Sequence, residues 1–548
     1  MTRVAALSVL LFVSTPALCQ APRVDLAGDA PTLLFSLLED SVRVDPMLSL
    51  EAGRALLAHR RLADATQDRK RAVLGMGSAW LVLGDVDRAL ECAQVILDEP
   101  ELETVGAASK SLVARAHALV IRANLYRGSF ADALLLARRA VDAVGLDEPE
   151  LHAAHAAALY RNRHFDEAAS LYRGLLRDDP LQIEALMRLG GGLQDPRPAP
   201  VDAALRDAIF ARKRGDAGSA RVGLTRVLSH YTEHPTALRI LGELELADER
   251  RGNPLVASGY FDDLFASLDP GRVEPWMRRF VRGYDDIDEE RRQMVRVSLR
   301  PFGNDLRRVL EKGGRHDLLG AAERTTDAID RAFLRGQRTF DGRVWDDVRG
   351  IGGLCAATGV EALDEAREGG FQTLVHEFAH QLHFHVLGPE EQSEIERLYR
   401  SSKRNRSTLD YYAASNAGEY FAQGFEAWYS LCKAPGQPIT HGHTRFELER
   451  KDPELAKFIA RVARFDPLRR VLDGASKDRE GTRAFVQRLF DGAIEAVRPG
   501  DAKALLTLIE RQSDTRPSRE ALRLETLCKR LHWCGEAARE VRAARRDG

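Results

Sequence analysis

Two histidines stand four residues apart in His376-Glu377-Phe378-Ala379-His380. On a helix, residues i and i+4 share a face, so both imidazoles can bind one metal ion. A carboxylate beside the first ligand can take a proton from a water that the metal activates. The chemistry that suits this constellation is metal-assisted hydrolysis. Catalytic zinc takes three protein ligands and keeps one position open, so the motif needs a third ligand. One known spacing, H-E-x-x-H-x-x-G-x-x-H, supplies a third histidine six residues after the second. Here its last two fixed positions hold His383 and Val386. His383 and His385 fall at the wrong offsets and read as solvent-side or supporting groups. A second route uses a glutamate from a later helix, for which Glu419 is the candidate. The competing reading makes Asn416 and Glu419 a capping box; if Glu419 turns to the metal, Asn416 can still cap alone.

The elements that must carry these residues are visible in the pattern. Leu374, Phe378 and Leu382 recur at i, i+4 and i+8, an apolar stripe beside the histidine face, and Gly388-Pro389 is a stop after it. Phe421, Phe425 and Trp428 recur helically, which puts Glu419 in the first turn of a second helix. Residues 341–364 change to Gly, Val, Ile, Thr and Ala, with Trp345 and Val348, and predict a strand or two just before the motif helix.

Together, Thr373 through His380 and Tyr412 through Phe425 resemble the catalytic domain of anthrax lethal factor and the related clostridial Pro-Pro endopeptidases. That family has H-E-F-G-H, then a Tyr seven residues before a Glu in an E-F-F-A-E-A-F run. This chain has Tyr412, then Glu419-Tyr420-Phe421-Ala422-Gln423-Gly424-Phe425. Thr358 to Glu361 upstream and Leu448 to Ile459 downstream are similar to flanking segments, so the resemblance spans roughly residues 345–462. Departures are Ala379 for Gly and Gln423-Gly424 for Glu-Ala. The resemblance implies an α+β, zincin-like fold with Zn2+ held by His376, His380 and Glu419. It implies Glu377 as general base and Tyr412 as oxyanion donor, with Tyr411 the competing hydroxyl. It also implies an edge strand for an extended peptide substrate, assigned by position to Gly352 through Thr358. Thr440-His441-Gly442-His443 reads as a polar loop beside the substrate pocket.

The remainder of the chain is mostly helical. Four stretches share a turn pattern that ends in alanine: Gly84 to Ala89, Gly128 to Ala133, Arg163 to Ala168 and Gly215 to Ala220. The pattern looks like the turn and second helix of a tetratricopeptide repeat, although the alanines lie 44, 35 and 52 residues apart against an ideal of about 34. The Gly190-Gly191-Gly192 run and the proline-rich 196–200 stretch read as a loop between repeats, and 272–340 as charged amphipathic helices. Residues 1–21 read as a secretory signal, with Arg3 ahead of an apolar stretch too short to span a bilayer. Leu18 before Cys19 disfavours a lipid anchor. The five later cysteines are too few for a disulfide scaffold; Cys528 and Cys534 are the one candidate pair.

The domains expected are the signal at 1–21, tetratricopeptide-like repeats at 30–270, a zinc metallopeptidase domain at 272–462 and a C-terminal helical region at 463–548. The net charge of −2 excludes nucleic-acid or anionic-membrane binding through bulk charge, and no stable membrane span is expected. The reading is an exported enzyme, secreted or periplasmic, that cuts a protein or peptide substrate, with the repeats recruiting that substrate or another protein. The alternative is a non-catalytic repeat scaffold whose metal site is structural or decayed.

Overall fold

The computed structural model describes residues 31–467 except 60–61, 63–64, 99–106, 146–147, 194–202, 258, 270, 300–301, 432, 435–439 and 464. The expected signal at 1–21, Cys19, Cys432, the proline-rich 196–200 stretch and nearly all of 463–548, with Cys528 and Cys534, lie outside these residues. The chain is mostly helical with one small mixed sheet. No described helix is long and apolar enough to cross a membrane.

The N-terminal part is a succession of helical hairpins, among them Thr66–Val82 with Val86–Leu97, Ala107–Tyr126 with Phe130–Val144, Pro149–Arg161 with Phe165–Asp178, and Ala203–Lys213 with Ala217–His230. Each pair is joined by a tight turn at the position singled out in the sequence. Gly84, Gly128 and Gly215 sit there at φ of 80°, 76° and 78°, and Arg163 adopts 68° in the third turn. Left-handed backbone is why glycine recurs; Arg163 accepts a local cost of roughly 1 kcal/mol. Five residues on, Ala89, Ala133, Ala168 and Ala220 are all fully buried, as small side chains must be where helices cross closely. The glycine run is not a loop. Leu189–Leu193 is a π-helical turn that extends Ile183–Arg188, and Gly190 lies so near helix Pro235–Arg251 that a Cβ would come within 2.5 Å of the Arg239 amide.

The sheet contains β1 (Val281–Arg282), β2 (Arg315–Leu319), β3 (Gly350–Ile351) and β4 (Cys355–Gly359), in the order β1-β2-β4-β3. The first three in that order run parallel, and β3 runs antiparallel along the edge. β3 and β4 are the strands expected before the motif helix. β1 and β2 fall where only helices were expected. The reason is that β2 is a buried strand with charged residues: Asp317 is held by Arg315 at 2.9 Å and Arg331 at 2.7 Å, and His316 Nε2 lies 2.8 Å from Thr358 Oγ1. Arg331 and Thr358 come from elsewhere in the chain. The edge assignment is also corrected: β3 at 350–351 is the edge, whereas Cys355–Thr358 lies inside the sheet.

The motif helix, Thr373–His385, packs on this sheet, and Gln381 Nε2 donates to the Arg315 and Leu354 carbonyls at 3.0 and 2.9 Å. Leu374, Phe378 and Leu382 are buried as the stripe required. Phe302 packs on Phe378, Phe425 and Tyr429 with ring centroids 4.8–5.4 Å apart; burying each such ring contributes roughly 1.5–3 kcal/mol. This core joins the motif helix to helix Ala417–Tyr429.

The helical hairpins close over the sheet region. Tyr411 packs edge-on to Phe130 at 4.8 Å under Arg161, Arg338 lies over Phe165, and Arg250 pairs with Glu368 at 2.7 Å. A cavity of about 1880 Å³ runs between them, lined by the hairpin residues Glu39, Arg115 and Tyr160 and by His376 and Glu377.

Candidate metal centre

His376, His380 and Glu419 bring one donor atom each to within 4.8 Å of one another. His376 and His380 lie one turn apart on the motif helix with ring centroids 4.9 Å apart. Glu419 arrives from the first turn of helix Ala417–Tyr429. Its Oε2 is 3.2 Å from His376 Nε2 and 3.5 Å from His380 Nε2, and it is buried with no satisfactory hydrogen bond. Asn416 Oδ1 accepts from the Glu419 amide at 2.9 Å, so the cap is made by Asn416 alone and the Glu419 carboxylate is left to the histidines. Burial pushes that carboxyl up, but the adjoining His376 and His380 outweigh it and hold it well below the usual carboxylate range. Burial lowers the His376 imidazole, yet Glu419 and Glu377 leave it above its ordinary value. Two imidazoles and one ionised carboxylate oxygen thus converge on a point that a single proton satisfies poorly. Such a donor set fits a divalent cation, and two nitrogens with one oxygen suit zinc.

Glu377 is buried beside this cluster. Burial raises its carboxyl, with the His376 and His380 charges opposing, which makes the group a better proton acceptor than an exposed carboxylate. β3 runs directly over it: a Cβ on Gly350 would stand 2.5 Å from Glu377 Oε1, and one on Gly352 2.7 Å from His380 Cβ. Only glycine lets the edge strand come this near.

The two tyrosines face different ways. Tyr411 turns to the hairpins. The Tyr412 ring lies 5.6 Å from Phe340, and its hydroxyl senses the charges of Glu419, Arg343, Asp341 and Glu377. Burial, reinforced by Glu419, keeps that hydroxyl protonated. The loop bearing both tyrosines is anchored by Asp410, which accepts from the Ala413 amide at 2.6 Å and sits 2.7 Å from His443 Nε2. His443 Nδ1 lies 2.9 Å from Glu447.

The other histidines divide. His441 lines the cavity, stacks on Phe371 at 4.4 Å, and is pushed down to about 3 by burial and then by Lys433 and Arg343. His443 is a buried anchor rather than a pocket contact. His383 is not on the solvent side: it is buried against Phe384 and Phe421, and burial and then the His380 charge lower it to about 4.

Two site residues escape the sequence reading. Glu426 is wholly buried and pairs with Lys433. Its Oε1 also accepts from the Gln372 amide at 2.9 Å, which fixes the start of the motif helix. Gln423, in the position where the family has an acid, is buried one turn before it with its Oε1 unpartnered. The available signal for Glu426 is its place seven residues after Glu419, on the same helix face. The other is Arg343, whose Nε is 3.0 Å from Asp341 and whose charge acts on Tyr412, Glu377 and His441. No local pattern marks it.

No protein-family model matches this chain, and no curated protein matches it significantly.

Proposed function

We propose that this protein is a zinc-dependent endopeptidase of the glutamate-ligand type, similar to the lethal factor and Pro-Pro endopeptidase family. The observation that carries the reading is the otherwise unpaired Glu419 Oε2 facing two imidazoles, with Glu377 alongside. His376, His380 and Glu419 would hold the metal. Zinc there supplies Lewis acidity, which polarises the scissile carbonyl and acidifies a water.

The protein's own groups do the rest. Glu377, raised by burial, accepts the proton of the attacking water and returns it to the leaving amine. The Tyr412 hydroxyl donates to the developing oxyanion, a contact of a kind typically worth about 3 kcal/mol. The free side of β3 offers backbone donors and acceptors to an extended peptide, whose main chain then pairs irrespective of side chains. A cavity of about 1880 Å³ exceeds the roughly 300–1,000 Å³ of small-molecule pockets, which favours a polymer as substrate.

In this reading the N-terminal hairpins are divergent tetratricopeptide-type repeats whose concave face forms one wall of that cavity, so recruitment and cleavage share one space. Residues 1–21, read as a secretory signal, would export this enzyme. The test is digestion of a mixed peptide library read by mass spectrometry. Cuts that disappear with a chelator and return with zinc support the proposal. Chelator-resistant cuts, or none from zinc-loaded protein, overturn it.

A further inference from the structure

The cavity holds a second polar centre that the hydrolytic chemistry does not use. Tyr160, on hairpin helix Pro149–Arg161, is 3% exposed, and its hydroxyl is buried without a hydrogen-bond partner. An unmet buried donor of this kind is costly to leave unpaired. Three guanidiniums surround this tyrosine. Arg188 lies over its ring at 4.5 Å and Arg161 at 5.7 Å, and the charge of Arg343 acts on its hydroxyl. All three line the cavity. Neither Arg161 nor Arg188 has a carboxylate within ion-pair distance among the described residues; each is held by aromatic rings instead, Arg161 also lying 5.0 Å from the centre of Tyr411.

Two acids face this centre, and both are already engaged. Asp341 takes Arg343 at 3.0 Å and the Thr339 hydroxyl at 2.5 Å. Glu184 takes Arg122 at 3.1 Å and the Tyr172 hydroxyl at 3.2 Å. Counting Arg122, four guanidiniums stand against two carboxylates around one unsatisfied hydroxyl. Planar guanidiniums are suited to carboxylate. Arg161 lies over Tyr411, the neighbour of Tyr412, and Tyr160, Arg343, Tyr412 and Glu377 line the same cavity, so the centre shares its space with the candidate metal site.

We infer that Tyr160, Arg161, Arg188 and Arg343 form a substrate subsite for a carboxylate, so that the peptide this enzyme accepts carries an acidic side chain or a free C-terminus near the bond to be cut. That the ligand is a peptide rests on the function proposed above; the anion site itself rests on the four side chains. The repeat wall thereby supplies specificity as well as recruitment, because Tyr160, Arg161 and Arg188 all come from the hairpins.

The experiment uses full-length, zinc-loaded Glu377→Gln protein and labelled peptides, with binding read by fluorescence anisotropy. Peptides are paired as Glu against Gln at each position in turn, and as free against amidated C-terminus. The carboxylate member of one series should bind roughly tenfold tighter or more, as charge-assisted hydrogen bonds allow. The series that shows the preference tells side chain from terminus. Arg188→Gln should abolish the preference, and Tyr160→Phe, which keeps the ring and removes only the hydroxyl, should reduce it. Equal affinities within both series, no binding by any peptide, or a preference that survives in both variants overturns the inference. Zinc content of the same preparations reports separately on the metal site: a carboxylate preference without bound zinc sinks the peptidase reading and leaves the subsite standing.

Discussion

His443 and His376 are both buried imidazoles beside carboxylates, and they differ in where those carboxylates lie. Around His443 the acids diverge. Glu447 is 2.9 Å from Nδ1 and Asp410 is 2.7 Å from Nε2, so a doubly protonated ring satisfies both. Burial lowers this imidazole, yet the two acids raise it to about 9. Around His376 the groups converge. His376 and His380 point at the same oxygen of Glu419, and His376 Nδ1 has no partner. A proton closes the first cluster; the second suits an ion with several coordination positions. The same residue types therefore give an anchor in one place and a candidate metal site in the other, and direction decides between them.

This contrast can be broken or sharpened by substitution. Glu377→Gln should lower peptide cleavage by about 10²- to 10⁴-fold in a steady-state assay while zinc content stays unchanged. Gly350→Ala should lower the rate by up to about 10²-fold, because its methyl group displaces Glu377 Oε1; zinc content again reports that the ligands remain. At the other cluster, His443→Gln takes the imidazolium from the buried Asp410 and leaves Glu447 to Lys451 at 3.7 Å, and unfolding in denaturant should show a loss of roughly 3 kcal/mol with zinc still bound.

That cluster also predicts a pH dependence. The folded pKa of His443 lies above the unfolded value of about 6.5. Its contribution is thus complete below about pH 6.5 and is lost as pH rises toward 9. Thermal melts should fall over that window in the unmodified protein more steeply than in His443→Gln. Asn416→Ala should have the smallest effect, about 1 kcal/mol of stability, since Asn416 caps the helix through the Glu419 amide and leaves the Glu419 carboxylate to the histidines.

Much of the candidate site is legible locally. His376, Glu377 and His380 share one helical turn, the stripe beside them is buried, and Asn416 marks the start of the helix that brings Glu419. The turn residues of the hairpins are legible for the same reason: Gly84, Gly128 and Gly215 answer a backbone requirement that needs no distant partner. What is not legible depends on partners far along the chain. β2 hides because Arg331 neutralises Asp317 from fourteen residues away. His383 looks like a solvent group until Phe421 covers it. Tyr160 and Arg343 lie 183 residues apart in the chain, and only the closure of the hairpins over the sheet puts them in one cavity.

The most direct test is zinc titration by calorimetry on three proteins: unmodified, Glu419→Ala and His443→Gln. The account predicts one site per chain in the unmodified protein, a site lost or greatly weakened in Glu419→Ala, and a site retained in His443→Gln. Undiminished zinc binding by Glu419→Ala, or its loss in folded His443→Gln, would contradict the assignment of the convergent cluster as the metal centre.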